Sequence, residues 1–236
     1  YLRYKQRLCG LGPGFEDILA TRELLEGLLL ARSGTSAVPQ LEAPDGTWVQ
    51  DTAEMIDYCE RAHPLPPVIP GPECPRQRIV SYLLELLADE WMVVHAFWER
   101  WHFCLEGDWP NHLRFNQQQW GVLIAPDADG AGRRSAGESF FEAAFGLSQA
   151  RTNPRAVYAG LLHLGCNDKT EAAWEASALR ILRRLEDHFS AHDFTLGGQP
   201  ALGDFGLMGP LYAHLFRDAV PGAALSMHFP LVAEWV

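Results

Sequence analysis

The hydrophobic positions of this chain follow two patterns, a mixed one before position 63 and a helical one after position 75. In the first part, segments of helical period alternate with short β-prone runs, at residues 1–8, 15–30, 38–41, 47–50 and 52–61. The turn Pro44-Asp45-Gly46 separates two of the β-prone runs, which predicts a β-hairpin.

After position 75, nearly every periodic segment has the spacing of an α-helix. A long apolar stripe covers residues 76–105, and residues 169–189 are strongly amphipathic. Shorter helices are predicted at 138–149 and 154–164. The polar stretch 107–137, which is rich in Gly, Asp and Asn, predicts a long irregular connection.

Proline marks the boundary between the two parts. The segment HPLPPVIPGPECP, residues 63–75, contains too many prolines for a helix or an interior strand. We therefore predict a first domain over 1–63, a linker over 64–75 and an all-helical domain over 76–236. The predicted fold class is a small α/β domain followed by an all-α domain.

Composition and charge exclude several classes of function. The chain has 236 residues, 47% of them hydrophobic, and a net charge of −11, which argues against nucleic acid or an anionic membrane as its main partner. No apolar run approaches the roughly 20 residues that span a bilayer. The five cysteines are scattered without a CxxC pair, which gives no zinc signature and suits a reducing compartment such as the cytoplasm.

One short segment, SAVPQLEAPDGTWVQDTAEM from Ser36 to Met55, contains the candidate binding residues. Pro39 stands at the mouth of a predicted strand, although sheets confine proline to edges, first positions and bulges. After the hairpin, Asp51 and Thr52 begin a predicted helix, whose N-terminus offers free N–H groups and a positive dipole end to a carboxylate. Asp51 with Glu54 also fits a helix cap, which is the purely structural alternative.

This order of features resembles the thioredoxin-like domain of glutathione transferases. There, a residue-Pro pair precedes a hairpin, and an acidic-hydroxyl pair then begins a helix. The resemblance implies a cis bond between Val38 and Pro39, with the backbone of Val38 free to bind the cysteinyl part of glutathione. It also implies that Asp51 and Thr52 bind the γ-glutamyl end of glutathione, which is the co-substrate.

A second motif, GGQPALGDFGLMGPLYAHL, resembles the glutathione transferase segment in which a Gly-x-x-Pro turn leads into a buried helix of the second domain. Asp204 is expected in the first turn, where a carboxylate satisfies free amides and complements the helix dipole. Ala201 replaces the usual Ser or Thr of the N-cap, so half of the capping box is missing. Together the two motifs imply an incomplete thioredoxin-like domain followed by a helical-bundle glutathione transferase C-terminal domain.

The resemblance does not supply the thiol-activating residue. Family members use a Tyr, Ser or Cys at or just after a first strand, and no such strand precedes the helix that begins at Tyr1. Tyr1, Tyr4 and Cys9 belong to the first helical segment or follow it directly, and none of them is assigned this role. Since the sequence starts without an initiator methionine, we expect a natural N-terminal piece to precede it, and a presequence there would indicate an organelle such as the mitochondrion.

An aromatic face is predicted on the long helix of the second part. Trp91, His95, Trp98 and His102 fall on this face at helical spacing, with Glu99 beside them. Three interpretations remain open, in this order. The first is buried packing with hydrogen-bonded imidazoles, and the second is the wall of an acceptor-substrate pocket that the resemblance implies. The third is a metal site through His95, Glu99 and His102 without an obvious fourth ligand. We expect Trp91 to be buried and the later residues to lie nearer the pocket.

Two classes of function follow. In the first, the protein is an enzyme that joins glutathione to a hydrophobic electrophile, or reduces a substrate with it, through the thiolate of bound glutathione. In the second, the fold is retained as an interaction module or accessory subunit of a larger assembly, since fold alone does not decide function. The predicted partners are glutathione, a small hydrophobic substrate and a second copy or larger complex, with neither nucleic acid nor a membrane span.

Overall fold

A computed structural model describes residues 1–9, 14–35, 37–105, 112–145, 164–167 and 169–236 of the chain. The chain forms two compact units, Tyr1–Ile69 and Pro70–Val236, and the division falls inside the proline-rich segment 64–75. The described residues are mostly helical with one two-stranded antiparallel sheet, in agreement with a mixed first part and a helical second part. None of the described helices is both long enough and apolar enough to cross a bilayer.

The first unit contains the predicted β-hairpin. Gln40 pairs with Gln50 at the end of the ladder that lies away from the turn. In the turn, Gly46 adopts a φ of 85°, and the carboxylate of Asp45 accepts a hydrogen bond from the amide of Thr47 at 2.9 Å. The described elements of this unit are α1 (Leu2–Cys9), a π-helical segment (Leu24–Leu29) that continues into α2 (Leu30–Ser33), β1 (Gln40–Glu42), β2 (Trp48–Gln50) and α3 (Thr52–Ala62).

A buried lysine ties α1 to the end of α3. Lys5 is only 1% exposed, and its ammonium forms an ion pair with Glu60. The same ammonium donates to the carbonyls of His63 and Pro66 at 2.8 and 2.6 Å. Glu60 in turn accepts from the amide of Val68 at 3.1 Å. A buried charge is costly unless it is paired and hydrogen-bonded. This network therefore holds α1, α3 and the chain segment 63–68 together.

The second unit is helical in its described part. The long helix predicted over 76–105 forms as two α-helical stretches joined without a break by a π-helical segment. The described elements are α4 (Pro75–Leu86), a π-helical segment (Leu87–Met92), α5 (Val93–Leu105), α6 (His112–Ile124), α7 (Gly130–Phe145), α8 (Glu171–Phe189), α9 (Leu202–Met208), a second π-helical segment (Gly209–Phe216), α10 (Ala219–His228) and α11 (Pro230–Trp235).

The N-terminus of α9 is organised by the carboxylate that the sequence placed in its first turn. Asp204 is 3% exposed and accepts hydrogen bonds from the amide of Ala201 at 2.8 Å, the amide of Thr195 at 2.8 Å and the hydroxyl of Thr195 at 2.9 Å. The prediction for Asp204 is therefore confirmed. Ala201 has no side-chain acceptor, so the carboxylate alone supplies the side-chain cap.

Two glycines allow α9 to lie directly against α4. A Cβ atom at Gly203 would come within 2.5 Å of the Cβ of Leu84, and one at Gly206 would come within 3.1 Å of the Cα of Glu85. The amide of Gly203 also donates to the hydroxyl of Ser81 at 3.3 Å. These contacts explain why small residues recur in the segment LGDFGLMG.

The irregular connection predicted over 107–137 is wrong, because most of that stretch is helical as α6 and the first half of α7. The glycines that suggested a loop serve packing instead. A Cβ at Gly121 would collide with the carbonyl of Arg133, and a Cβ at Gly137 would collide with the carbonyl of Gln117. Each helix thus contributes one glycine against the backbone of the other, which permits a close antiparallel crossing.

Two other predicted helices differ from the structure or lie outside its described residues. The helix predicted over 15–30 begins only after Thr21, whose hydroxyl accepts from the amide of Leu24 at 3.2 Å and acts as a helix cap. The stretch before Thr21 has no regular structure in residues 14–20. The helix predicted over 154–164 lies almost entirely outside the described residues.

We expect Gly121→Ala to lower the midpoint of thermal unfolding, because the added methyl group displaces the α7 backbone; overpacking of this kind costs about 1–3 kcal/mol. The matched control is Gly130→Ala, at the start of α7, where an added Cβ meets nothing within 4 Å. That control should leave the midpoint unchanged or raise it, since alanine favours helix by about 0.5–1 kcal/mol. Equal midpoints for Gly121→Ala and the wild type would contradict the proposed role of the glycine.

Candidate functional site

The hairpin ladder of the first unit stops at a defined place. It ends at the pair Gln40–Gln50, and the next residues on the two strands are Pro39 and Asp51. Pro39 has no amide hydrogen to donate, and Asp51 leaves the β region with a φ of 82° and a ψ of 130°. The hydrogen-bonded pairing of the two strands therefore stops at Gln40–Gln50 on both strands.

Val38 lies beyond this end with its backbone available. The Val38–Pro39 peptide bond is cis, so that prediction is confirmed. Val38 is 56% exposed, and its backbone forms no hydrogen bond with any residue that the structure describes. The side chain of Gln40 orders the preceding residues by donating to the carbonyl of Ala37 at 2.9 Å and accepting from the indole of Trp48 at 2.7 Å.

Asp51 caps α3 and holds an unusual backbone conformation. Its Oδ1 accepts from the amide of Ala53 at 3.0 Å, so the cap is formed, although Glu54 makes no return contact among the described residues. Asp51 is the one non-glycine residue of the described chain with a positive φ. Such a conformation costs on the order of 1–3 kcal/mol, and residues of this kind concentrate at functional sites.

The start of α3 can bind two charges of opposite sign. Asp51 and Thr52 are both exposed, and the second carboxylate oxygen of Asp51 accepts from no described residue. The N-terminus of α3 supplies N–H groups and a positive dipole end suited to a carboxylate. The arrangement is chemically suited to a carboxylate that accepts from the N–H groups and the Thr52 hydroxyl, next to an ammonium group that donates to Asp51.

Trp91, the first residue of the predicted aromatic face, lies in the π-helical segment Leu87–Met92. Trp91 is 45% exposed, so the expectation that it is buried is wrong. Its ring packs on Trp174, with ring centroids 4.2 Å apart, and its indole donates to the hydroxyl of Ser177 at 3.1 Å.

The other three residues of this face form a stacked column. The centroid distances are 5.8 Å for His95–Trp98 and 4.5 Å for Trp98–His102. His95 is 3% exposed and donates through Nε2 to Oε1 of Glu99 at 2.7 Å, while its buried Nδ1 has no partner among the described residues. Its burial supports the packing interpretation for this residue, with one of its two ring nitrogens hydrogen-bonded. The described residues contain no group of three or more side chains arranged to hold a metal ion. The acceptor-pocket role of the aromatic face stays a prediction.

A buried ion pair near this column had no signal in the sequence. Arg100 and Asp218 lie 118 positions apart, and their side chains meet at 2.7 Å with Asp218 only 2% exposed. Burial raises the pKa of Asp218, while the guanidinium of Arg100 acts in the opposite direction. His112 adds to the network by donating through Nε2 to the carbonyl of Arg100 at 2.9 Å.

Three cysteine thiols of the described chain are buried, and the hydroxyl of Tyr1 is hydrogen-bonded. Burial raises the pKa of the Cys104 thiol to about 12 and that of Cys166 to about 11. Burial also raises the pKa of Cys59. The hydroxyl of Tyr1 donates to Glu60 at 2.7 Å. The three buried thiols are therefore poor nucleophiles at neutral pH.

Comparisons of the chain with models of known protein families, with curated proteins and with solved structures find no match. The evidence for a binding function at the hairpin end is its geometry and the order of the motif residues. Val38, Pro39, Asp51 and Thr52 are brought to one end of one hairpin, as the sequence predicted.

Alkylation tests the thiol assignments. With iodoacetamide at pH 8, we expect the exposed Cys74 of the native protein to be modified while Cys104 and Cys166 are not. A thiol with a pKa of about 12 is thiolate in only about one molecule in ten thousand at this pH. Peptide mapping by mass spectrometry measures each site, and the urea-unfolded protein, in which every site should react, is the control. Modification of native Cys104 as fast as Cys74 would contradict its burial.

Proposed function

We propose that the first unit binds glutathione at the end of its hairpin and that the protein is a glutathione transferase-like enzyme. One observation supports this more than any other. The ladder ends at Gln40–Gln50, where Pro39 lacks an amide hydrogen and Asp51 has a φ of 82°. That ending leaves the backbone of Val38 and the start of α3 at the same end of the hairpin, which suits an extended peptide with a charged terminus.

The γ-glutamyl end of glutathione fits the start of α3 by charge. Its carboxylate accepts from the Thr52 hydroxyl and from the N–H groups of the first helical turn. Its ammonium donates to the second carboxylate oxygen of Asp51, because Oδ1 is occupied by the amide of Ala53. In this proposal the positive φ of Asp51 places the carboxylate where it serves both the helix and the ligand.

The cysteinyl part pairs with Val38 in the manner of an added strand. The amide and carbonyl of Val38 are not used by the ladder, so they are free to exchange hydrogen bonds with the peptide. The glutathione thiol loses its proton to solvent or a base, and the thiolate sulfur then forms a bond to the electrophilic carbon of a second substrate. The leaving group departs with the bonding electrons. A thioredoxin-like fold of the first unit is part of the same proposal.

An interaction module is the second candidate, and one observation favours it. Ile79, Leu83 and Leu86 lie on one face of α4, and they are 61%, 56% and 56% exposed. Contiguous exposed apolar faces of this kind mark contact sites for other proteins. Glutathione binding by the whole protein distinguishes the two candidate functions, because only the transferase requires it.

Isothermal titration with glutathione tests the site through Asp51→Asn. Asparagine keeps the capping oxygen and tolerates a positive φ, so the variant removes the charge and little else. We expect the affinity to fall about tenfold or more, since a charge-assisted hydrogen bond contributes roughly 1.5–3 kcal/mol. Cysteinylglycine, which lacks the γ-glutamyl group, should bind the wild type and the variant equally weakly.

Asp45→Asn is the matched control, because Asp45 is an exposed carboxylate in the turn at the other end of the same hairpin. The affinity of the Asp45→Asn variant for glutathione should equal that of the wild type. Circular dichroism confirms that each variant is folded. A folded Asp51→Asn with unchanged affinity removes Asp51 from the site, and a wild-type protein that binds no glutathione rejects the transferase in favour of the interaction module.

A further inference from the structure

A cavity of about 500 Å³ lies within the second unit and is separate from the hairpin site. It opens between α5, α8, the π-helical segment Gly209–Phe216 and α10. Leu182, Leu215, Leu225 and Phe229 give it apolar walls. Small-molecule sites have volumes of about 300–1,000 Å³ and apolar walls with a few placed polar groups, so this cavity has the dimensions of a binding site.

The ionisable groups of the cavity wall are three carboxylates, one guanidinium and the imidazole of His228. Both oxygens of Glu186 are committed to α11, since they accept from the amides of Leu231 and Val232 at 3.1 and 2.9 Å. Arg183 and Asp187 lie one helical turn apart on α8, and both are exposed, so solvent screens their charges. The cavity-wall carboxylate that is shielded from solvent and keeps one oxygen without a described partner is Glu99.

Glu99 is held in place by a buried partner. Its side chain is 20% exposed and lines the cavity, and its Oε1 accepts from Nε2 of His95 at 2.7 Å. His95 is 3% exposed, so its imidazole is fixed by the surrounding helices. The second carboxylate oxygen of Glu99 accepts from none of the described residues. A partly buried, oriented carboxylate beside apolar walls is complementary to an ammonium group on an apolar body.

We propose that this cavity binds a small organic cation, a primary amine attached to an aromatic or branched aliphatic group. The ammonium donates to Glu99, and the apolar part packs against Leu215, Leu225 and Phe229. The inference does not depend on glutathione binding, because every residue that forms the cavity belongs to the second unit.

Titration calorimetry with a matched set of probes tests the proposal in the whole protein. The probes are 1-naphthylmethylamine, 1-naphthalenemethanol and 1-naphthylacetate, which share one apolar body and differ in charge. We expect the amine to bind at least tenfold more tightly than the alcohol, and the carboxylate to bind more weakly than the alcohol. Glu99→Gln should reduce the affinity for the amine at least tenfold, to that of the alcohol, and leave the alcohol unchanged.

Two further variants keep the test decisive. Glu90→Gln removes an exposed carboxylate from the preceding π-helical segment, outside the cavity wall, and should leave amine binding unchanged. Ala224→Phe places a ring in the cavity from an exposed position of α10 and should abolish binding of all three probes. Equal affinities for the amine and the alcohol, or amine binding that survives Glu99→Gln or Ala224→Phe, would overturn the proposal. Glutathione affinity, measured in parallel on Glu99→Gln, should be unchanged, which separates this result from the test of the hairpin site.

Discussion

The second unit depends on one buried carboxylate. Asp204 is 3% exposed and receives three hydrogen bonds from Thr195 and Ala201, which fix the start of α9. Without these donors a buried carboxylate would be strongly unfavourable, so the loop before α9 and the helix itself must form together. Leu207, in the last turn of α9, then enters the core with Leu211 of the π-helical segment that follows.

Two pairs of helices in the second unit are held close by glycines. Gly203 and Gly206 bring α4 against α9, and Gly121 and Gly137 bring α6 against α7. In each case the missing side chain lets one helix approach the other more closely than an alanine would permit. The large apolar side chains then fill the remaining space, with Met92 and Leu211 in the core cluster.

The two candidate sites use different sources of electrostatic selectivity. At the hairpin end, the α3 N-terminus and the carboxylate of Asp51 offer a positive and a negative partner side by side, which suits a zwitterionic group. In the helical cavity, Glu99 is oriented by a single buried imidazole beside apolar walls, which suits a cation on an apolar body.

The sequence by itself determined the local features. Pro39, the Asp45-Gly46 turn, the Asp51 cap and the Asp204 cap each act over a few residues, so propensity and hydrogen-bonding capacity predict them from neighbours in the chain. The sequence also divided the chain at its prolines, close to the observed division between Ile69 and Pro70.

Only the tertiary structure decided the features that join distant segments. Whether a glycine breaks a helix or packs it depends on what lies opposite, and for Gly121 that is the backbone of Arg133 on another helix. Trp91 is exposed on one side and packs on Trp174 of α8, a helix that is distant in the sequence. Arg100 meets Asp218 across 118 positions, and the cavity beside Glu99 needs residues from α8 and α10. Pairing and packing over such separations follow from the complete fold, which local periodicity does not encode.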